Sequence, residues 1–331
     1  MSKIKIGFPL GFKNEGGPAN FLKSLKKTYK KNNLLRTSFF FDPTIDLLIS
    51  SSKVRNPWKK PYVMRLDNIY YGTQLNKDQI EERNKPILDG IKKAEGLIYQ
   101  SKFSKFIINN SYSINPAVPS GIINNGVDLK KFNNEGYNLR ENLGIKPTEL
   151  VFITSANFRS QKRLDDIIRS FINYKKIISK NMYLIIIGNL DKKYSSLPKE
   201  IIFTGKIKHA SLSKWYRSAD ICLFYSILDS CPNSVVEALA SRLPVLCTNL
   251  GGTRELIELT NGGIIVDADQ EVDFTNINLA NPPKPDHSKI LKGIHEIVKN
   301  KEEISNKMNL ELIDINFIAQ KYYNFITKIN L

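Results

Sequence analysis

The chain has 331 residues, of which 41% are hydrophobic, and its formal net charge is +17. This length allows two domains with separate cores, and the composition excludes a disordered chain. No run approaches the roughly 20 apolar residues of a membrane-spanning helix, and the start "MSKIKIGFPLGF" lacks the apolar core and cleavage site of a signal peptide. Three cysteines without paired spacing, far in sequence from the three histidines, predict a reducing, cytoplasmic compartment with no disulfide and no zinc site.

The positive charge is concentrated in the first part of the chain. Residues 1–132 contain 23 Lys and Arg against 10 Asp and Glu, whereas residues 133–331 contain 26 against 22. A basic half predicts an acidic partner, an anionic membrane surface or nucleic acid. Compositional drift is the alternative, because Lys, Asn and Ile are frequent throughout the sequence.

The first part alternates short apolar runs with amphipathic stretches. In residues 18–32, Phe21, Leu22, Leu25 and Tyr29 share one helical face, and most of the lysines lie opposite. Alternation of strands and helices predicts a parallel sheet covered by helices on both faces. The predicted strands of this part are residues 3–8, 46–50, 61–66, 96–100 and 120–125.

A second set of apolar runs begins near residue 150 and predicts a second sheet of the same kind. Its near-continuous apolar strands are typical of strands buried on both faces. We predict an α/β fold with two Rossmann-like domains, residues 1–132 and 133–310, joined by a turn-rich hinge at 124–138. We expect the last segment, 311–331, to form a helix that packs back on the first domain. The predicted strands of the second set are residues 150–154, 182–188, 201–205, 220–226 and 244–248.

The stretch "DSCPNSVVEALASRLPV" (229–245) places two acids around a helix start at Pro232. We predict Ser230 or Asn233 as the cap, with first-turn amides that attract an anion such as phosphate. Glu237 lies about one turn into an apolar helix, where a lone carboxylate is costly to bury. We therefore expect a ligand, such as the hydroxyls of a ribose, to meet it. The alternative is that Asp229 caps the helix and Glu237 pairs with an arginine.

These motifs together resemble the retaining glycosyltransferases of family 4, which have the GT-B fold. That family carries two acids separated by seven residues, as Asp229 and Glu237 are here, then a small-Gly-x-Pro-Val run and a Gly-Gly-x-x-Glu. The chain has Arg242 where the family has a glycine at the helix end, a residue less suited to a left-handed conformation. Four further segments resemble segments of the family and occur in the same order along the chain. They are 122–132 (interdomain segment), 155–171 (donor-phosphate loop), 201–226 (base-binding strand) and 249–256 (Gly-Gly-x-x-Glu).

The resemblance implies roles in the second domain. Lys162, and less directly Arg159, would neutralise the leaving diphosphate. Glu237 would hold the ribose, and Asp229, one methylene shorter than the family's glutamate, the hydroxyls of the transferred sugar. The remaining donor-binding residues would act largely through their backbone: Gly205, Lys206 and Ile207 at the nucleobase, and Pro232, Asn233, Ser234 and Val235 at phosphate or sugar.

In the first domain, "GFKNEGGPANFL" (11–22) is similar to the family's glycine loop, where Gly16 and Gly17 would let the backbone approach the donor phosphate. A plain strand–helix turn is the alternative. Asp67 follows the strand at 61–66, near the place where many relatives have a histidine. It is the candidate to orient the acceptor or the sugar, and the alternative is an ion pair with Arg65.

The implied activity is a retaining, metal-independent transfer of a hexose-type sugar from a nucleoside diphosphate sugar to a glycan, a lipid-linked acceptor or another acceptor. We expect no cofactor, a UDP-sugar as the default donor and a GDP-sugar as the other choice. The "DAD" stretch (267–269) is predicted to be a surface loop. The lysine-rich face of helix 18–32 is expected to meet an anionic membrane surface.

Three other classes compete with this interpretation. A polyanion- or nucleic-acid-binding protein would use the basic first part, but its aromatic residues form no recognisable nucleic-acid motif. A dinucleotide-dependent dehydrogenase needs G-x-G-x-x-G after a strand, and neither "GFPLGF" nor "NEGGPANF" supplies it. A catalytically degenerate glycosyltransferase is the third alternative, because Asp229 replaces a glutamate of the family and Asn157 stands where the family has a basic residue, five positions before the lysine.

Overall fold

The structure is a computed structural model that describes residues 4–9, 17–51, 54–72, 75–115, 117–178, 181–189, 197–274 and 276–329. The chain divides into two compact units. Unit 1 comprises Met1–Asp128, Asp273–Ile277 and Ile313–Leu331, and unit 2 comprises Leu129–Val272 and Asn278–Leu312. The boundary after Asp128 lies inside the predicted hinge and four residues before the predicted domain limit.

Within its described residues, unit 1 contains a six-stranded parallel sheet in the order β2-β1-β3-β4-β5-β6. The predicted strands are confirmed, and β3, β4 and β5 are buried along their whole length. The strands are β1 (Lys5–Phe8), β2 (Arg36–Phe39), β3 (Leu47–Ser50), β4 (Tyr62–Leu66), β5 (Gly96–Tyr99) and β6 (Ser120–Ile122). The helices of this unit are α1 (Gly17–Asn32), α2 (Lys77–Ile91), α3 (Lys102–Ser111) and α9 (Ile315–Thr327).

The last helix, α9, is part of the core of unit 1 although it lies far from the rest of that unit in sequence. Its residues Ile318, Tyr322 and Ile326 are buried against the inner face of α1. The Tyr29 hydroxyl of α1 donates a hydrogen bond of 3.2 Å to the carbonyl oxygen of Ala319. The buried face of α1 contains Phe21, Leu22, Leu25 and Tyr29, which confirms the predicted amphipathic pattern.

Unit 2 contains a second six-stranded parallel sheet within its described residues, in the order β12-β11-β10-β7-β8-β9. The strands are β7 (Leu150–Ser155), β8 (Met182–Ile187), β9 (Ile201–Gly205), β10 (Ile221–Phe224), β11 (Val245–Thr248) and β12 (Gly263–Val266). The helices are α4 (Leu164–Ile178), α5 (Leu212–Tyr216), α6 (Asn233–Ala240), α7 (Thr253–Thr260) and α8 (His287–Lys307). Two Rossmann-like α/β units of this kind confirm the predicted GT-B fold class. No helix among the described residues is both long and apolar enough to cross a lipid bilayer.

Helix α6 ends in a Schellman motif with an arginine at the left-handed position. The Leu243 amide donates to the Ala238 carbonyl at 3.0 Å, and the Arg242 amide to that of Leu239 at 2.8 Å. Arg242 has φ = 58°, the conformation for which the sequence marked it as unsuited. Its guanidinium donates to the Ser305 carbonyl of α8 at 2.8 Å, and the Ser305 hydroxyl donates back to the Arg242 carbonyl at 2.9 Å.

The packing of α9 generates a stability prediction. Ile326→Ala removes a fully buried side chain and should lower the free energy of unfolding of unit 1 by about 2–4 kcal/mol. Asn324→Ala, on the exposed face of the same helix, should change it by less than about 0.5 kcal/mol. Urea denaturation with hydrogen exchange of the α1 amides measures both effects. Equal protection of α1 in the two variants would show that α9 does not stabilise this unit.

Candidate active site

The candidate site in unit 2 is built where strands β10 and β11 end. The loop after β10 leads into α6, whose N-cap residue is Pro232 and which begins without a side-chain cap. The prediction that Ser230 or Asn233 caps this helix is therefore wrong. The amides of Val235 and Val236 both donate to the Pro232 carbonyl, at 3.1 and 3.2 Å. A helix start without a carboxylate or hydroxyl cap keeps its partial positive charge available to an anion.

A second helix start lies against the same loop. Helix α7 begins after Gly252, also without a side-chain cap, and the Gly252 amide donates to the Asp229 carbonyl at 2.7 Å. Gly251 has φ = 77°, and a Cβ there would lie 3.2 Å from the backbone of Ile227. Glycine is needed here because the two loops approach so closely. The buried hydroxyls of Ser230 and Thr253 have no hydrogen-bond partner among the described residues.

Lys162 and Asp229 meet in an ion pair. Lys162 ends a short 3-10 helix, Ser160–Lys162, that follows β7, and its ammonium lies 5.6 Å from the ring centroid of Phe224. The two side chains are 17% and 22% exposed. The structure thus brings together the residues predicted for the diphosphate and for the transferred sugar. Arg159 is exposed at the start of the same short helix.

Glu237 is buried, with a side chain that is 8% exposed. Its Oε1 lies 2.7 Å from His209 Nε2, and the Tyr216 hydroxyl donates to its Oε2 at 3.3 Å. The expectation that a ligand alone satisfies this carboxylate is wrong, and so is the alternative of an arginine partner, since the described residues supply a histidine and a tyrosine. Burial, with the charge of Glu237 as a second cause, raises the pKa of Tyr216 well above its usual value, which keeps this hydroxyl a donor.

The residues predicted to contact the nucleobase, Gly205, Lys206 and Ile207, lie shortly before His209 in the chain. Gly205 ends β9 with φ = 68°, and a Cβ added there would meet no described atom within 4 Å. Its carbonyl accepts the Gly188 amide at 3.0 Å. Lys206 is exposed and Ile207 is half-buried. The segment therefore presents an open backbone surface next to the side chain that contacts Glu237.

The "DAD" stretch divides into one surface and one buried residue. Asp267 is 85% exposed, as predicted for a surface loop. Asp269 is buried and forms an ion pair of 2.7 Å with the buried Arg163, so the prediction is wrong for this residue. Arg163 also donates to the Pro283 carbonyl, and it follows Lys162 with φ = 52°. This pair fixes the backbone beside Lys162. In the parts of the chain that the structure describes, no group of three His, Cys, Asp or Glu side chains could hold a metal ion.

In unit 1, Asp67 lies in a polar network at the carboxyl ends of β4 and β5. It forms an ion pair with the fully buried Arg65, and Gln100 Nε2 donates to the same oxygen, Oδ1, at 2.7 Å. Arg65 also donates to Asn125 Oδ1 at 2.7 Å. The pairing with Arg65 given as the alternative is therefore present, and the role of Asp67 toward an acceptor stays a prediction.

The glycine loop can be placed only in part. Gly16 lies outside the described residues, whereas Gly17 begins α1 and is followed by Pro18.

Sequence reasoning missed His209 and Tyr216 as partners of Glu237. The position of His209, three residues after Lys206 in the predicted base-binding segment, was the available signal.

Residues 137–276 match the family model described as "Glycosyl transferases group 1". The alpha-monoglucosyldiacylglycerol synthase of Acholeplasma laidlawii is 30% identical over 165 residues, which cover 46% of this chain and 41% of that protein. The chain spans about two fifths of the length of the first curated relatives that it matches.

Two solved structures share the fold at low identity. The sucrose-phosphate synthase of Thermosynechococcus elongatus has a TM-score of 0.71 at 14% identity, covering 98% of this chain and 99% of that one. Anabaena HepE, solved in complex with UDP, has a TM-score of 0.70 at 14% identity, with the same coverage. The matched family segment contains the whole candidate site of unit 2, from Lys162 to α7. Residues 137–276 of the chain are thus similar to the glycosyl transferases of group 1.

Proposed function

We propose that this chain is a retaining glycosyltransferase that moves a hexose-type sugar from a nucleoside diphosphate sugar to an acceptor. One observation carries the proposal: two helix starts without side-chain caps adjoin the Lys162–Asp229 ion pair, in the unit that buries Glu237. These groups together match a ligand with a diphosphate between a ribose and a sugar. The match of residues 137–276 to the glycosyl transferases of group 1 supports the reaction class, and the assignment of roles is ours.

The diphosphate would take the place that the carboxylate of Asp229 now occupies on Lys162. The ammonium and the starts of α6 and α7 are positive, so they would stabilise the charge that develops on the leaving phosphate. Asp229 would then be free to accept hydrogen bonds from hydroxyls of the transferred sugar. Arg159, exposed beside Lys162, can add a second positive charge.

The proposed reaction retains the configuration at the anomeric carbon. The bond from this carbon to the phosphate oxygen breaks, and a bond to the acceptor oxygen forms on the same face. The acceptor's proton passes to the departing phosphate, so that no protein base is required. We include metal independence because Lys162 and the helix starts already supply positive charge for the leaving group.

We propose UDP-glucose as the first donor to test. Anabaena HepE, which shares the fold, was solved with UDP-glucose. The open backbone surface at Gly205 would take the base, and no side chain of the described site requires uracil over guanine. A GDP-sugar is therefore the second donor to test, and no further cofactor is proposed.

The acceptor side is proposed to be unit 1, with Asp67 as an orienting residue and an anionic membrane as the partner surface. Three exposed aromatic residues of unit 1 adjoin one another: Phe39 and Phe41 stack at 5.9 Å, and Trp58 Nε1 donates to the Phe41 carbonyl at 2.7 Å. Lys26 lies over the Phe39 ring at 3.7 Å. We call Phe39, Phe41 and Trp58 the aromatic patch.

The aromatic patch combined with lysines suits a membrane–water interface, where aromatic rings and basic residues concentrate. Burial, with Lys30 as a second cause, lowers the pKa of Lys26, so this lysine is already partly withdrawn from water. The Acholeplasma relative is named for a diacylglycerol product. A lipid-linked acceptor is consistent with both observations, and a glycan acceptor is the other choice.

Replacing Glu237 tests the donor site. Glu237→Ala should lower transfer from UDP-glucose or GDP-sugars by at least about 100-fold. The reason is that the two hydrogen bonds from the ribose hydroxyls to the charged carboxylate are lost. Release of the nucleoside diphosphate, with the anomer of the product determined by NMR, measures the effect. Glu258→Ala, at an exposed glutamate of α7, is the matched control and should leave transfer unchanged. Full activity in folded Glu237→Ala would reject the proposed site.

Lys162→Ala should separate the chemical step from binding. We expect kcat to fall by about 10²–10³-fold, because a charge that stabilises the leaving group is removed. The donor KM should rise by less than about tenfold, because the starts of α6 and α7 remain. Steady-state kinetics over donor concentration measures both, with exposed Lys176→Ala as the control. A larger change in KM than in kcat would show that Lys162 acts in ground-state binding.

The membrane proposal predicts binding to anionic vesicles. Phe41→Ala should weaken cosedimentation with phosphatidylglycerol vesicles by about fivefold or more, because a buried phenylalanine contributes about 1.5–3 kcal/mol. Phe203→Ala, at a comparably exposed phenylalanine of unit 2, is the control and should have no effect. Equal binding by the two variants, or equal binding to phosphatidylcholine vesicles, would contradict this surface.

A further inference from the structure

A chain of three ionisable side chains runs through unit 2 and ends at Glu237. Lys131 Nζ lies 2.8 Å from His209 Nδ1, and His209 Nε2 lies 2.7 Å from Glu237 Oε1. Lys131 stands at the start of the unit, and His209 begins the 3-10 helix His209–Ser211 after β9. The three residues are far apart in sequence, so the contact depends on the fold of the unit.

The chemistry of the two outer groups fixes the role of the imidazole between them. An ammonium can only donate hydrogen bonds, so Nδ1 of His209 must accept. An ionised carboxylate can only accept, so Nε2 must carry the proton and donate to Glu237. Lys131 therefore selects one tautomer of a neutral imidazole, the one whose N–H is directed at Oε1.

The surrounding residues hold this chain in place. The ring of Phe132, which is 1% exposed, lies 5.5 Å from the imidazole and 6.1 Å from the ring of Tyr216. Arg217 donates from Nε to the Asn133 carbonyl at 3.1 Å, which ties the backbone after Lys131 to the end of α5. Lys131 and His209 are thus connected to Glu237 through packed and hydrogen-bonded neighbours.

The two bonds leave part of the carboxylate available. A carboxylate has about four lone-pair positions, and His209 and Tyr216 each use one, on different oxygens. As far as the described residues are concerned, each oxygen therefore keeps a position for one further donor. Two donors on adjacent carbon atoms, as in a ribose, match two free positions on one carboxylate.

We propose that Lys131 and His209 are positioning residues that orient Glu237 toward the ribose hydroxyls of the donor. The inference rests on the proposed function, because it takes the ribose as the ligand of Glu237. It adds that the base-binding segment and the ribose carboxylate are joined by His209, so that base and ribose are recognised by one connected structure. The side chain of His209 is 39% exposed, which leaves it beside the ligand and in contact with Glu237.

The test compares UDP with 2′-deoxy-UDP by calorimetry, with GDP and 2′-deoxy-GDP measured in parallel. The wild-type chain should prefer the ribose form by roughly 10- to 100-fold, because a hydrogen bond to a carboxylate is lost in the deoxy form. Glu237→Gln should reduce this preference to within about threefold. His209→Ala should do the same without changing the affinity for the deoxy form, and Lys131→Ala should have a smaller effect in the same direction.

Conservative and control variants distinguish orientation from folding. His209→Gln keeps a donor for Glu237 and an acceptor for Lys131, so it should restore most of the preference. His295→Ala and Lys176→Ala, at exposed residues outside the chain of contacts and outside the proposed donor site, should leave it unchanged. Equal loss of affinity for both forms in His209→Ala would indicate a structural role and overturn the inference.

Failure of the inference can be told apart from failure of the proposed function. If Glu237→Gln abolishes the ribose preference and His209→Ala keeps it, the positioning role is wrong and the donor site stands. If Glu237→Gln keeps the preference, or the wild-type chain shows none, the ribose is not the ligand of Glu237. In that case the proposed donor site and the inference fail together.

Discussion

The buried carboxylate of Glu237 is the constraint on which the arrangement of unit 2 depends. An unpartnered charge in this position would cost several kcal/mol, which is a large part of the stability of a domain. Hydrogen-bond donors from two other segments, His209 after β9 and Tyr216 at the end of α5, offset this cost. Within the described part of the chain, these donors do not occupy all the lone pairs, so the carboxylate is tolerated in the folded unit with acceptor positions left over.

The carboxylate of Asp229 is stabilised in a different way, by an ion pair with Lys162. Here two opposite charges, each about one-fifth exposed, compensate each other. Both side chains are partly exposed, so separating this pair leaves neither charge wholly without solvent. The buried pair of Arg163 and Asp269 next to it is far more costly to break, because a charge would be left unpaired in the interior. A fully buried ion pair thus adjoins a partly exposed one.

The sequence predicted those parts of the molecule that have a periodic or local signal. Apolar runs located ten of the strands, but β2 was missed because it is an edge strand of mostly polar residues, and β12 because it begins within the glycine pair Gly262–Gly263. Asp229 and Glu237 share one loop and helix, so their proximity was predictable. His209 meets Glu237 across 28 positions, where no periodic pattern applies, and only its place in the predicted base-binding segment could have indicated it. The tertiary fold alone brings them together.

Arg242 shows why the preference for glycine at a left-handed helix end can fail. A left-handed residue other than glycine costs about 1–2 kcal/mol. Arg242 forms two hydrogen bonds with Ser305, each contributing about 1 kcal/mol, and these are of the size needed to offset the cost. Both bonds are made to α8, 63 positions away, so no local pattern indicates them. The Schellman motif then ends α6 as a glycine would, and the helix that carries Glu237 keeps its length and its exit into β11.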